Sequence, residues 1–385
     1  MAKILLLGAG TQALAIIRGL AKDGQDVCML TGEHGNYADV SKYISKCFYC
    51  HIPTMSDEFL QYVEELIAKK GIDVLIPMGD ESAEFLSKNK ERLHKIVKFT
   101  SPDYEYFLEG YDKNKLMSLC QEKGYPHPQT IDLTKTSIND EKLQAFPYPA
   151  MLKPNCTTGG RGMVVVNSHE ELLNKYPGLH KQYGDYHLQR FIREGGRQVK
   201  IQLCVDKDGK LIAHSAMHKV RWYPVRGGSS CCAVSIEEPK MTEVCLNILH
   251  DIHWEGFADF DLIEDPDTHE LLIMEINPRL PACLGTTIHA GVEWGQILVD
   301  QALGLETKTY EYKTGITLRH LGFDVLWFLK SSKRFSTKPS WFRFFGKNVF
   351  YQDMDGWTDQ KPFLIGTYHN IKKLFDPSFK EAKSI

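Results

Sequence analysis

At 385 residues, 43% hydrophobic and 25% charged, the chain has the composition of ordinary soluble globular proteins and is long enough for about two or three domains with real cores. Its 46 Lys and Arg against 49 Asp and Glu leave a formal net charge of −3, which excludes an overall charge balance favouring nucleic acid or an anionic membrane as the main partner. No apolar run reaches the ~18 residues needed to span a bilayer, and the start MAKILLLGAGTQ lacks the regions of a signal peptide, so the expected location is cytoplasmic.

The first elements read strand (KILLLGAG), glycine turn, helix (TQALAIIRGLAKDG) and strand (QDVCMLT). Gly8, Gly10 and Ala13 satisfy the G-x-G-x-x-G/A pattern, whose glycines let a turn approach a pyrophosphate at a helix N-terminus. That pattern alone is weak. Glu33 is only a loose counterpart of the ribose-binding acid, and the expectation is a structural doubly wound domain, with a nicotinamide oxidoreductase as the rival. Cys47, Cys50 and His51 carry the haem-attachment spacing, but KCFYCHIP alternates like a strand and the ten cysteines fit reduced thiols. A helix (SDEFLQYVEELIAKKG), a buried strand (IDVLIPMG) and a helix with Glu81 and Glu84 continue the alternation to about residue 106.

From Tyr111 the pattern changes. YDKNKLMSLCQEKG reads as a short helix stopped by Gly124, and strand-rich segments follow: YPAMLKPN, GMVVVNS, YHLQRFI, VKIQLCVDKDGKLIAHSAMHKV, CCAVSI and FADFDLIEDPDTHELLIMEINPR. These are expected to be mostly antiparallel, with hairpin turns at DKDGK and DPDTHE.

In the strand LLIMEIN, a period of two places Leu271, Ile273, Glu275 and Asn277 on one face and Leu272, Met274 and Ile276 on the other. Folding FADFDLIE back about Thr268 sets Asp261 opposite Glu275. Two facing carboxylates in a partly buried strand pair repel unless one is protonated or a cation lies between them. The oxygen-only set Asp261, Glu275 and Asn277 suits magnesium, which usually binds one or two carboxylates together with substrate phosphates. Phosphate contacts stand upstream in MLKPNCTTGGRGM, where Lys153 precedes a glycine loop whose backbone N–H groups can converge on oxygens. The alternatives are a solvated edge hairpin and a plain glycine turn.

Together these motifs resemble, over about residues 1–305, the ATP-grasp superfamily, the carboxylate-amine ligases related to carbamoyl-phosphate synthase and biotin carboxylase. The resemblance implies α/β and α+β architecture: a Rossmann-like pre-ATP-grasp domain at 1–108, then an ATP-grasp domain of two α+β subdomains at 109–305 with a lid at about 125–188, then a C-terminal extension at 306–385. It implies ATP and Mg2+ (or Mn2+) as cofactors, with Lys113 and Lys153 on the phosphates and Thr158, Gly159, Gly160, Arg161, Gly162 and Met163 forming a lid loop over the nucleotide. Gln189, Arg190, Phe191 and Ile192 are similar to the hinge that reads adenine, and Glu194 stands slightly early for the glutamate that many relatives keep for ribose. Asp261, Glu275 and Asn277 resemble the metal ligands, and Arg279 the arginine that stabilises the transferring phosphoryl group. Arg279, Lys153 and Glu275 are thus the expected catalytic set. Arg221, Gly228 and Ser229 are expected beside the acceptor pocket, with His289 as a further candidate, although a histidine so placed more often merely packs.

The activity so implied is ATP-dependent activation of a carboxylate as an acyl phosphate, then its coupling to an amine with release of ADP and phosphate. Small-molecule carboxylates and amines are the implied partners, with no nucleic acid, no transmembrane segment and a homodimer as a conceivable assembly. Two readings stay open: a carbamoyl-phosphate-synthase-like enzyme acting on bicarbonate or carbamate, which the presence of one such module disfavours, and a non-catalytic ATP-binding module. Beyond residue 306, FDVLWFLKSSKRFSTKPSWFRFFGKNVFYQ mixes aromatics with Lys330, Lys333, Arg334, Lys338, Arg343 and Lys347. That mixture is compatible with an interfacial membrane segment or nucleic-acid stacking, and the expectation is aromatics packed on the body with solvated basic heads.

Overall fold

The computed structural model describes residues 1–374 apart from 33, 158–159, 226–227 and 355–357, with the backbone alone for 369–374. The strands form three sheets. The first holds β1 (Lys3–Leu7), β2 (Asp26–Thr31), β3 (Lys46–Tyr49) and β4 (Val74–Pro77) in the order β3-β2-β1-β4, all parallel. Parallel neighbours need crossovers, and the apolar stripes of helices Thr11–Lys22 and Asp57–Lys70 supply them. The second helix starts where the Ser56 hydroxyl accepts from the Phe59 N–H and ends on left-handed Gly71. Gly8 turns out of β1 at φ +111°, and a side chain there would press on the Met78 Cβ at 3.2 Å, so close backbone approach explains that glycine.

The second sheet is antiparallel in the order β5-β8-β6-β7, from β5 (Thr130–Asp132), β6 (Ala150–Pro154), β7 (Val164–Val166) and β8 (Tyr186–Arg190). Helix His169–Tyr183 covers one face, and Leu143, Leu152, Leu172, Tyr186 and Leu188 form a core of their own.

The third sheet runs β13-β12-β9-β10-β11-β14-β15, built from β9 (Gln198–Val205), β10 (Leu211–Tyr223), β11 (Ser229–Ile236), β12 (Gly256–Glu264), β13 (Leu271–Asn277), β14 (Thr317–Arg319) and β15 (Val349–Tyr351). The turns expected at Asp206–Lys210 and after Glu264 close the β9–β10 and β12–β13 hairpins. Residues beyond 305 belong to this sheet: β14 pairs antiparallel with β11, and β15 parallel with β14. The chain end then returns to the first sheet's helix, where Asp359 accepts from Arg18 Nε at 3.1 Å and from the Ser41 hydroxyl at 2.7 Å. Among the described residues no helix is long and apolar enough to cross a membrane.

Candidate nucleotide and metal site

The β12–β13 hairpin carries the acidic groups. Its register pairs Asp261 with Glu275 and Asp259 with Asn277, as the alternation of the two strands predicts. Strict alternation fails at one place, however. A bulge shifts the register between Asp261 and Leu262, so Ile273 joins Ile276 in the core rather than sharing a face with Glu275. Asn277 Nδ2 donates to Asp261 Oδ2 at 3.1 Å, and Arg279 Nη2 donates to Asn277 Oδ1 at 3.4 Å. Arg279 is further held by Asp80, at 3.0 Å on Nε, from the first turn of helix Asp80–Lys88 after β4. The carboxylate beside it keeps its guanidinium charged despite burial.

The two lysines meet the same cleft. Lys113 opens helix Lys113–Lys123, whose Asp112 cap accepts from the Asn114 and Lys115 N–H groups. Its Nζ lies 3.2 Å from Glu275 Oε2 and donates to the Thr157 carbonyl at 2.9 Å. Lys153, at the end of β6, is 7% exposed and donates to Gln189 Oε1. Burial pushes the Lys153 ammonium down to about 8, with Glu275 opposing and Lys113 adding to the push. A lysine that binds phosphate must carry its proton, and this one loses it as pH rises through about 8. In the free protein kcat/KM for ATP is therefore expected to fall about tenfold per pH unit above that value, a slope that a pH-rate profile measures directly.

The glycine loop and hinge are partly in place. Thr158 and Gly159 lie outside the described residues, as does Glu33. Gly160 and Gly162 hold φ +76° and +75°, and Arg161 and Met163 follow the turn that Met163 N–H closes on the Gly160 carbonyl. A Cβ on Gly162 would lie 2.9 Å from both Pro154 Cγ and the Tyr186 hydroxyl. Gly162→Ala is accordingly expected to destabilise the protein by about 1–3 kcal/mol, read as a lower denaturant midpoint. Gln189 turns its side chain inward, bridging Lys153 and Thr130. Arg190 pairs with Asp265 at 2.7 Å, Phe191 and Ile192 are half-buried, and Glu194 is exposed in the connection to β9.

Of the acceptor-side residues, Arg221 is committed elsewhere. Arg221 is 1% exposed, and its Nε donates to Asp324 Oδ1 at 2.6 Å, so a buried ion pair uses the guanidinium expected on substrate. Gly228 has a packing reason, because a Cβ there would lie 2.3 Å from the Tyr223 carbonyl oxygen. Ser229 begins β11 exposed, paired with Tyr223. His289 is stacked on Phe350, ring centroids 4.0 Å apart, which is a packing position.

Sequence reasoning missed four buried polar groups, Lys200, Gln202, Asp259 and His187. Lys200 on β9 reaches Asp259 at 2.6 Å and Asp261 at 2.9 Å, and Gln202 Nε2 donates to Asp259 at 2.7 Å. Burial pushes the Asp259 carboxyl up, against the pull of Lys200. For Asp261 burial is outweighed by Lys200, Lys219 and the Asn277 amide, which hold it below the usual carboxylate range. The signal was a period-two stripe, Gln198, Lys200 and Gln202, through the apolar strand QVKIQLCV. His187, beside Lys153 across β6–β8, is fully buried; its Nδ1 meets Asn155 Oδ1 at 2.9 Å, and among the described residues Nε2 has no hydrogen-bond partner. Burial, Lys153 and Lys113 hold its ring neutral.

Among the described residues no three His, Cys, Asp or Glu side chains are grouped to hold a metal ion unaided. Two carboxylates and an amide in one cleft with two lysines instead fit magnesium carried in on nucleotide phosphates, since that ion seldom uses an all-protein cage.

The family described as carbamoyl-phosphate synthase L chain, ATP binding domain, matches residues 112–287. The carbamoyl phosphate synthase large chain, C-terminal section, of Methanopyrus kandleri is 24% identical over 235 residues, covering 59% of this chain and 42% of the relative. The carbamoyl phosphate synthase large chain of Thermoanaerobacter sp. is 23% identical over 300 residues, 72% of this chain and 28% of the relative. The chain thus spans less than half the length of these relatives. Among solved structures, a biotin carboxylase–β-γ-ATP complex from Campylobacter jejuni superposes with a TM-score of 0.66 at 20% identity, covering 80% of this chain and 73% of that one. N5-carboxyaminoimidazole synthetase from Staphylococcus aureus, complexed with ADP, gives 0.63 at 14% identity over 81% and 80%.

Proposed function

Because the chain belongs to the ATP-grasp superfamily, we propose that it is an ATP-dependent ligase that phosphorylates a carboxylate and joins it to an amine. What supports this reading is a chain of contacts: Lys113 lies 3.2 Å from Glu275, Lys153 feels the charges of both, Glu275 faces Asp261 across the strand pair, and Asn277 links Asp261 to Arg279. The division that accompanies it is a Rossmann-like unit at 1–108, an ATP-grasp unit at 109–305 with its lid at about 125–188, and an extension at 306–385, of which Thr317–Arg319 and Val349–Tyr351 add strands to the third sheet.

In this reading Asp261, Glu275 and Asn277 would hold Mg2+, which when bound neutralises phosphate charge and polarises the transferring group. Lys113 and Lys153 bind the phosphate tail. Arg279, oriented by Asp80 and Asn277, faces the phosphoryl group as charge builds on it. A carboxylate oxygen of the acid attacks the γ-phosphorus and ADP leaves. The amine nitrogen then attacks the acyl carbon, and the phosphate departs with the bonding pair while the amine gives up a proton. Positioning and electrostatics dominate such transfers, which is why cations outnumber candidate bases here.

A screen of carboxylates, bicarbonate included, each paired with amino acids and other amines, tests the reading by release of ADP and phosphate. ATP binding without ADP release under any pair would make the chain a non-catalytic nucleotide module. Release with bicarbonate alone would favour carbamoyl-phosphate chemistry, the activity named for the relatives.

A further inference from the structure

We propose that residues 325–347 form a docking surface through which the protein attaches peripherally to anionic lipid bilayers. Between Val325 and Gln352 the chain carries Lys330, Lys333, Arg334, Lys338, Arg343 and Lys347 and no Asp or Glu. Of the acids that flank the segment, Asp324 is buried and committed to Arg221 and Arg319, and Asp353 is buried too. On a chain of net charge −3 this is a local reversal of sign, and all of the six except Arg334 are exposed.

Apolar groups project among those cations. Phe335, Phe342 and Phe345 are 76%, 57% and 90% exposed, and Leu329 is 61% exposed. Phe335 and Phe342 are not scattered. Phe335 and Phe342 both set their edges against Phe328, with centroids 5.7 and 5.6 Å away, and Phe328 stacks on Trp341 at 4.1 Å. Trp341 is rooted in the body, its indole N–H donating to the Asp324 carbonyl at 3.0 Å. The packed-aromatics expectation thus holds for Phe328 and Trp341 and fails for the three outer phenylalanines. A contiguous apolar cluster on a fixed base, rimmed by cations, has the chemistry of an interfacial anchor: rings at the acyl boundary, ammonium groups among headgroup phosphates. A single-stranded nucleic acid would also meet the charge. However, Val325 and Leu329, one helical turn apart on helix Leu321–Lys330, widen the apolar surface with side chains that offer a base no stacking face.

The test is co-sedimentation of the full chain with vesicles of mixed phosphatidylcholine and phosphatidylglycerol, with pure phosphatidylcholine as the control. Binding to the mixed vesicles is expected, weakening as salt is raised. Neutralising Lys333 and Lys338 in K333Q/K338Q should weaken partitioning about fivefold per residue. F335S/F342S should weaken it while leaving the salt dependence unchanged. All four side chains lie outside the proposed ATP site, so ADP release should stay at the parent value, with the melting temperature unchanged in K333Q/K338Q and only slightly lowered in F335S/F342S by the lost ring contacts. Failure of the parent to sediment with mixed vesicles, equal sedimentation with pure phosphatidylcholine, or tighter binding to a single-stranded oligonucleotide at equal phosphate concentration would each overturn the proposal.

Discussion

Glu275→Gln is expected to lower ATP turnover by about 10²–10³-fold or more while the protein keeps its fold. The substitution is nearly isosteric, so what it removes is charge. In the cleft that charge faces Lys113 at 3.2 Å and Asp261 across the strand pair, and one of the two carboxylates proposed to hold the metal is lost. The Glu275 side chain is 31% exposed, so its ion pair with Lys113 contributes little to stability once solvent screening is allowed for, and melting should change only slightly. Activity and stability are thereby separated in one variant. ADP release measured over a range of magnesium concentrations should show the lost turnover, with partial recovery at high metal if Asp261 and Asn277 still bind it weakly. Undiminished turnover would remove Glu275 from the chemistry and with it the proposed metal site.

Much of that site was legible because two strands with period-two polarity and a turn rich in Asp and Pro leave few registers, and one of them puts Asp261 opposite Glu275. Lys153 was legible for a related reason, as a cation at the end of an apolar strand followed by glycines. The bulge in the same hairpin was not legible, since no glycine marks it and Leu272, Ile273 and Met274 are apolar on either reading. Lys200 and Asp259 were missed although each belongs to a period-two polar stripe, Lys200 with Gln198 and Gln202 and Asp259 with Asp261, because within one strand such a stripe reads equally as a solvated face. Their meaning arises only when β9 lies beside β12 and pairs Asp261 with Lys200 and Asp259 with Gln202. Arg221 shows the opposite error. Its place near a glycine turn suggested a substrate contact, and nothing local announced that a carboxylate 103 residues later would claim it.

That carboxylate gives the largest stability effect expected of any single residue here. Asp324 is fully buried, and it accepts from Arg221 Nε at 2.6 Å and from Arg319 Nε at 2.7 Å, both arginines being 1% exposed. Packing surrounds them: Trp327 lies 5.4 Å from the Arg221 guanidinium, and Phe344 4.3 Å from that of Arg319. Asp324→Asn keeps the shape and removes the anion, leaving two guanidinium groups out of water with no counter-charge. An arginine cannot escape by losing its proton, so the cost falls on the fold, at about 3–5 kcal/mol. The arginines come from β10 and β14 and the aspartate from helix Leu321–Lys330, so the damage should appear first where the segment beyond residue 305 docks on the sheet. Denaturant unfolding should show the drop in midpoint, and hydrogen exchange should show early loss of protection in β14 and β15. A midpoint within about 1 kcal/mol of the parent would mean that water reaches the cluster and that these pairs act as surface ion pairs do.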